Sequence, residues 1–249
     1  MIETENQDGV TIVRMAHGRA NAMDVEFCQA LSAQLAELNT SAVRAIVLTG
    51  RGGIFSAGVD LLRLLNGGSP YIRSFLPQLS TMLAAVFSSP KPVVAAINGH
   101  AIAGGCVLAC AADKRLASRE AGRIGVTELL VGVPFPAAAL EIMRSAVAPQ
   151  HFEEVIFSGR TYAPQEAADR GLLHEITETG NLVERAITAA RTLAALPPAA
   201  FALTKRQTRR QALEALQMDA SRTEVEQIWT APETLARIRD YVSRTLGKS

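Results

Sequence analysis

VVAAINGHAIAGGCVLACAAD, residues 93–113, carries no acidic or basic side chain other than His100 until it closes on Asp113. The run is long enough to span a bilayer as a helix. Asn98-Gly99 interrupts it with a turn signal, however, and a turn in hydrocarbon would leave backbone hydrogen-bonding groups without partners. The stretch therefore reads as a buried strand at 93–97, a turn, and a small-residue helix that begins at the glycine pair Gly104-Gly105 and stops near Asp113. A short strand follows at 114–117.

The same rhythm precedes it. Residues 9–15 (GVTIVRM) alternate as a strand, 25–38 carry apolar residues at helical spacing, and 44–49 (RAIVLT) form a β-rich run ending at Gly50. Downstream, Pro164 sits in the first turn of a helix opening at 162–166, and Gly171 is placed to close it in the left-handed conformation before a strand at 172–176. After Pro197-Pro198 the pattern is wholly helical, at 199–216, 223–229 and 232–246, with Thr230 and Glu233 spaced as a capping box for the last helix. Residues 62–79 match no motif. The expectation is an α/β core over residues 1–196 and a helical region over 197–249.

A chain of 249 residues, 48% hydrophobic, buries roughly 75% of its unfolded surface and needs no disulfide or metal to hold a core. Lys and Arg number 25 against 24 Asp and Glu, which leaves no electrostatic footprint for nucleic acid. Cys28, Cys106 and Cys110 lack zinc spacing and read as reduced packing residues, His17, His100, His151 and His174 are scattered, and no metal is expected. The polar, acidic start lacks a secretory pattern, so the expectation is a cytoplasmic protein without membrane insertion.

Two segments place glycine and small residues where a loop enters a helix: Ser56-Ala57-Gly58-Val59-Asp60-Leu61 and Ala103-Gly104-Gly105-Cys106. First-turn N–H groups have no partner within a helix and can donate to an oxygen that gains negative charge. Each segment alone fits a packing or turn device equally well. Ser56 lacks the setting of a nucleophile elbow, and the cysteines lie on an apolar helix.

Taken in order, the two segments resemble the enoyl-CoA hydratase/isomerase, or crotonase, superfamily, and the likeness covers nearly the whole chain. It includes Arg19-Ala20-Asn21-Ala22-Met23, the strand at 91–99 and the helix-to-strand exit at 162–173. The resemblance implies a spiral of strand-strand-helix units and a C-terminal region used for oligomerisation, as a homotrimer or dimer of trimers. It also implies an acyl-CoA thioester substrate, with no cofactor beyond the coenzyme A that the substrate carries. The oxyanion amides would be those of Val59 and Gly104, and Arg19, Ala20, Ala22, Ala57, Gly58, Asp60 and Leu61 would contact substrate.

Val107 then acquires meaning. Hydratases of this family normally carry a glutamate there, one of two; the second is matched by Glu128 in Gly125-Val126-Thr127-Glu128. One carboxylate suffices to move a double bond, because the base that removes an α proton can return it at the γ carbon. The site pattern is thus most similar to delta-3, delta-2-enoyl-CoA isomerases. A hydratase or other acyl-CoA lyase, and a non-catalytic acyl-CoA binder, are the alternatives. Were Glu128 set among Leu129, Leu130 and Phe135, burial would raise its pKa. The stretch 62–79 is expected to shape the acyl pocket, and the basic run Lys205, Arg206, Arg209 and Arg210 reads as a solvated helix face, or as a holder of CoA phosphates.

Overall fold

A computed structural model describes residues 1–246. β1 (Ile2–Gln7) and β2 (Val10–Met15) form an antiparallel hairpin about Asp8-Gly9, whose φ values of 51° and 81° are the left-handed pair that a two-residue hairpin turn requires. The sequence reading placed only the second of these strands. β1 is the sheet's edge and is almost wholly exposed, so it lacks the apolar alternation that marks a half-buried strand.

After α1 (Val25–Thr40), the chain makes three turns of strand, strand, helix. The first is β3 (Ala45–Gly50), β4 (Ile54–Ser56) and α2 (Leu61–Ser88); the second is β5 (Val93–Ile97), β6 (His100–Ile102) and α3 (Gly104–Cys110). The third is β7 (Lys114–Ser118), β8 (Ile124–Gly125) and α4 (Glu128–Val131). Then come α5 (Ala137–Ala146), α6 (Phe152–Ser158), β9 (Thr161–Tyr162), α7 (Pro164–Asp169), β10 (Glu175–Thr177) and α8 (Leu182–Ala194). The helices α9 (Pro198–Thr208), α10 (Arg210–Gln217), α11 (Arg222–Thr230) and α12 (Pro232–Leu246) complete the described chain.

The turns wind two sheets at once. One has six strands in the order β1-β2-β3-β5-β7-β10, parallel from β2 onward; the other has the order β4-β6-β8-β9. This is the expected spiral. Both faces of the larger sheet are covered, which is why its strands read as near-continuous apolar runs. Ile46 and Leu48 of β3 face the main core with α1, α2 and α3, whereas Ala45 and Val47 face Leu182, Ala186 and Ile187 of α8.

One stretch without a motif gains a structure, and three expectations need correction. Residues 62–79 belong to α2, two helical pieces joined at Gly68 (φ 59°, ψ −158°), and the glycines and prolines at that break hid an apolar stripe through Ile72, Phe75, Leu79, Leu83 and Val86. The predicted strand at 172–176 starts only at Glu175. Gly171 does take φ 82°, but the helix-closing bond from Leu172 N–H to Ala167 O turns Leu172 and Leu173 into the core first. The helix at 199–216 breaks at Arg209. Finally, Thr230 is the last residue of α11, its hydroxyl donating back to Glu226 O and Gln227 O, so it does not cap α12.

The break at Arg209 turns part of the basic run inward. Lys205 Nζ and Arg209 Nη2 lie 2.8 and 2.9 Å from the two oxygens of Asp113, which also accepts from Val93 N–H at 2.7 Å. Arg209 further donates to Phe87 O and lies over the Phe87 ring. Burial holds Lys205 down at about 8 even beside its carboxylate. The cluster pins α9 and α10 to the end of α3. Asp113→Ala would strand two buried cations and is expected to cost about 3–5 kcal/mol, read as a lower urea midpoint with unchanged m-value.

Candidate active site

The turn before α2 is held from three sides. Asn21, at φ 46°, donates through its side-chain amide to Ile54 O and Phe55 O, while its own carbonyl accepts from the Ser56 hydroxyl. Ser56 Oγ in turn accepts from Gly58 N–H at 3.1 Å, so this serine is a turn brace. Met23 forms a single parallel bridge with Val59, its N–H donating to Gly58 O and its carbonyl accepting from Asp60 N–H. In that pattern the residues flanking Val59 pair with Met23 and the Val59 N–H points to the other side.

On that other side lies the start of α3. Ala103 adopts φ 50°, unusual for a residue with a side chain, and delivers Gly104 as the first helical residue. Neither the Val59 nor the Gly104 N–H donates to any acceptor among the described residues. The two backbones nearly touch: a Cβ added at Gly58 would lie 3.0 Å from Gly104 N and 2.7 Å from Ile102 O, and Gly58 sits at φ 85°. Gly105 is equally constrained, since its Cβ would meet Ser56 O at 2.3 Å. Glycine at 58 thus lets the two chains approach, and the two residues whose amides are free border one cavity.

That cavity is small, about 80 Å³ of space open to water-sized groups, and is bordered by Ala57, Val59, Leu61 and Gly104. Glu128, first residue of α4, is the only carboxylate bordering it among the described residues. The side chain is buried, and Oε2 has no hydrogen-bond partner. Burial lifts its pKa from 4.5 to about 7, opposed in part by the backbone of Glu128 and Thr127. The rise was expected, but not its surroundings: Leu129 and Leu130 are 39% and 54% exposed, and the apolar cavity residues flanking Glu128 in sequence are Val131 and Val133. Val107 is fully buried and lines the same cavity, contributing only methyl groups where a second acid could stand.

Of the substrate contacts expected from sequence, Ala57 and Leu61 border the cavity, whereas Arg19, Ala20, Ala22, Gly58 and Asp60 do not. Ala20 accepts from Ala57 N–H, which ties the Arg19–Ala22 turn to the rim, and Arg19 is exposed. Asp60 caps α2 through Arg63 N–H at 3.0 Å. Leu79 of the stretch 62–79 lines the cavity as expected, whereas sequence reasoning missed Leu83 of α2, Thr127 beside Glu128, and Trp229 and Tyr241 of the C-terminal helices. Nothing local marks Trp229 or Tyr241, since α11 and α12 reach the cavity only by packing against α2 and α4.

Elsewhere the structure assigns packing roles. All three cysteines are buried and free. The histidines are dispersed: His17 pairs with Asp24, His100 accepts from Arg123 N–H, and His174, pushed down to about 4 by burial, accepts from Arg115 N–H. Among the described residues no three His, Cys, Asp or Glu side chains cluster as a metal site, and no single helix is long and apolar enough to cross a membrane. The uncharged run at 93–112 folds as β5, β6 and α3.

Comparison with known proteins bears on the fold and the family. A putative enoyl-CoA hydratase of Thermus thermophilus is 35% identical over 212 residues, 82% of each chain. The mitochondrial enoyl-CoA delta isomerase 1 of Mus musculus is 27% identical over 84% of this chain and 74% of its own. The crystal structure of human mitochondrial delta3-delta2-enoyl-CoA isomerase shares the fold with a TM-score of 0.95 at 23% identity, covering 100% of this chain and 99% of that one. Residues 5–234 match the enoyl-CoA hydratase/isomerase family, and the chain is a member of it.

Proposed function

We propose that this protein is a delta-3, delta-2-enoyl-CoA isomerase working with one carboxylate. The observation that carries the reading is Glu128 as the only acid at the cavity among the described residues, its Oε2 unpartnered, with Val107 on the same lining. The thioester oxygen would sit between the Val59 and Gly104 amides. Glu128 removes a proton from the α carbon, the electrons delocalise through the dienolate onto that oxygen, and the same carboxyl returns the proton at the γ carbon. Nothing is added or lost, so one shuttle closes the cycle. Hydration would need a positioned water and a second proton relay, for which the buried Val107 offers nothing.

The test offers a 3-enoyl-CoA and a 2-enoyl-CoA to the purified protein and follows conjugation and hydration in parallel. Conjugation without hydration is expected; efficient hydration would overturn the mechanism, and binding without either reaction would leave an acyl-CoA binder. Because the base must be ionised, isomerisation is expected to rise with pH and level off above about 7, the value to which burial lifts Glu128. A rate that is flat between pH 5.5 and 8 would contradict Glu128 as the base.

A further inference from the structure

One end of the cavity is built from the C-terminal helices. Trp229 of α11 is 2% exposed and borders the cavity, and its indole N–H donates to Pro134 O at 2.9 Å, which fixes the ring plane. α11 is itself tied to α2 after the Gly68 break: Thr230 O accepts from the Ser69 hydroxyl at 3.2 Å, and Arg73 Nε pairs with Glu226 at 3.1 Å. The α2 residues on the cavity separate accordingly. Leu61 adjoins the Val59 turn, whereas Leu79 and Leu83 lie beyond the break, on the part of α2 that α11 is tied to.

Next to this end is a second, open groove of mixed lining, with Leu76, Leu216 and Val225 on its apolar side and Asp219, Arg222 and Glu226 among its polar residues. Pro136 borders both spaces, and α11 faces the groove with Val225 and the cavity with Trp229 one turn further on, so this turn of α11 and Pro136 stand between the two. On the near side, the walls are aliphatic apart from Thr127, Glu128 and Tyr241. A hydrocarbon tail fits such a lining.

We infer that Trp229 is the end wall of the acyl subsite and sets the longest unsubstituted aliphatic chain the protein accepts. The inference rests on the acyl-CoA reading above. Chains that fit gain affinity with each methylene buried, about fourfold apiece, and chains that reach the indole gain no more. Replacing the indole with a small side chain opens the cavity toward the groove beside it.

The test is calorimetric titration of butanoyl-, octanoyl- and hexadecanoyl-CoA, saturated thioesters that cannot isomerise. In the native protein, affinity should rise from butanoyl to octanoyl and then stop. In Trp229→Ala, hexadecanoyl-CoA should bind at least tenfold more tightly than octanoyl-CoA, and Trp229→Leu, a gentler truncation, should move the limit the same way. Trp229→Phe keeps most of the volume without the bond to Pro134, and its limit should stay put. A steady rise to hexadecanoyl in the native protein, or an unmoved limit in both truncations, would overturn the inference. Since these ligands need no turnover, a failed isomerase assay with an intact length limit would reject the reaction and keep the wall; no binding of any thioester would reject the acyl-CoA reading itself.

Discussion

Glu128→Gln is expected to lower double-bond migration by about three orders of magnitude, within the range that a positioned acid-base group contributes. The amide fills the same space, but it can neither take the α proton nor return it. Two further measurements separate loss of chemistry from loss of structure. Acyl-CoA affinity should change little. Stability should increase at neutral pH, by a sign that can be worked out: burial raises the carboxyl from 4.5 to about 7 in the folded state, so its stabilising contribution is complete below about 4.5 and is lost as pH rises through 7. The glutamine never ionises. At pH 8 the variant should therefore exceed the native protein by up to about 3 kcal/mol, with the difference vanishing near pH 4.5. A variant that retains activity, or whose advantage in Tm does not grow with pH, would remove Glu128 from the mechanism.

Gly58→Ala carries the second large effect. At φ 85° a side chain is strained whatever the space, and here the new Cβ would lie 2.7 Å from Ile102 O and 3.0 Å from Gly104 N. Both obstacles are backbone, so relief requires the Val59 turn and the start of α3 to move apart. Loss of one oxyanion donor costs about 3 kcal/mol of transition-state stabilisation, so kcat should fall about a hundredfold or more. Gly53→Ala is the control, since nothing lies within 4 Å of its added Cβ. Equal kcat in the two variants would mean that the two amides do not act as a pair. Together the two substitutions test the two halves of the site independently, the proton and the charge.

Much of this site was legible in local sequence. Gly58 and Gly104-Gly105 mark loops that enter helices, the family resemblance picks out Glu128, and Asn98-Gly99 breaks the uncharged run at 93–112 between a strand and a helix, with only the short β6 between them unread. Such features are legible because their physical requirements fall on the residue itself or its immediate neighbours: a positive φ, a missing Cβ, a first-turn amide. The edge strand β1 and the kinked helix α2 were not, one because it buries almost nothing and the other because Gly68 and Pro70 masked its stripe.

The sequence by itself determined the α/β class and the pair of glycine turns, and its family resemblance pointed to the spiral and to Glu128 with valine at 107. Only the tertiary structure decided that Lys205 and Arg209 turn inward to Asp113, that Leu129 and Leu130 leave Glu128 to be desolvated by other residues, and that Trp229 and Tyr241 help enclose the cavity. The reason is common to all three. Burial, charge pairing and cavity walls depend on which surfaces meet across the chain, and a residue on α11 or α12 carries no local mark of the helix it will pack against.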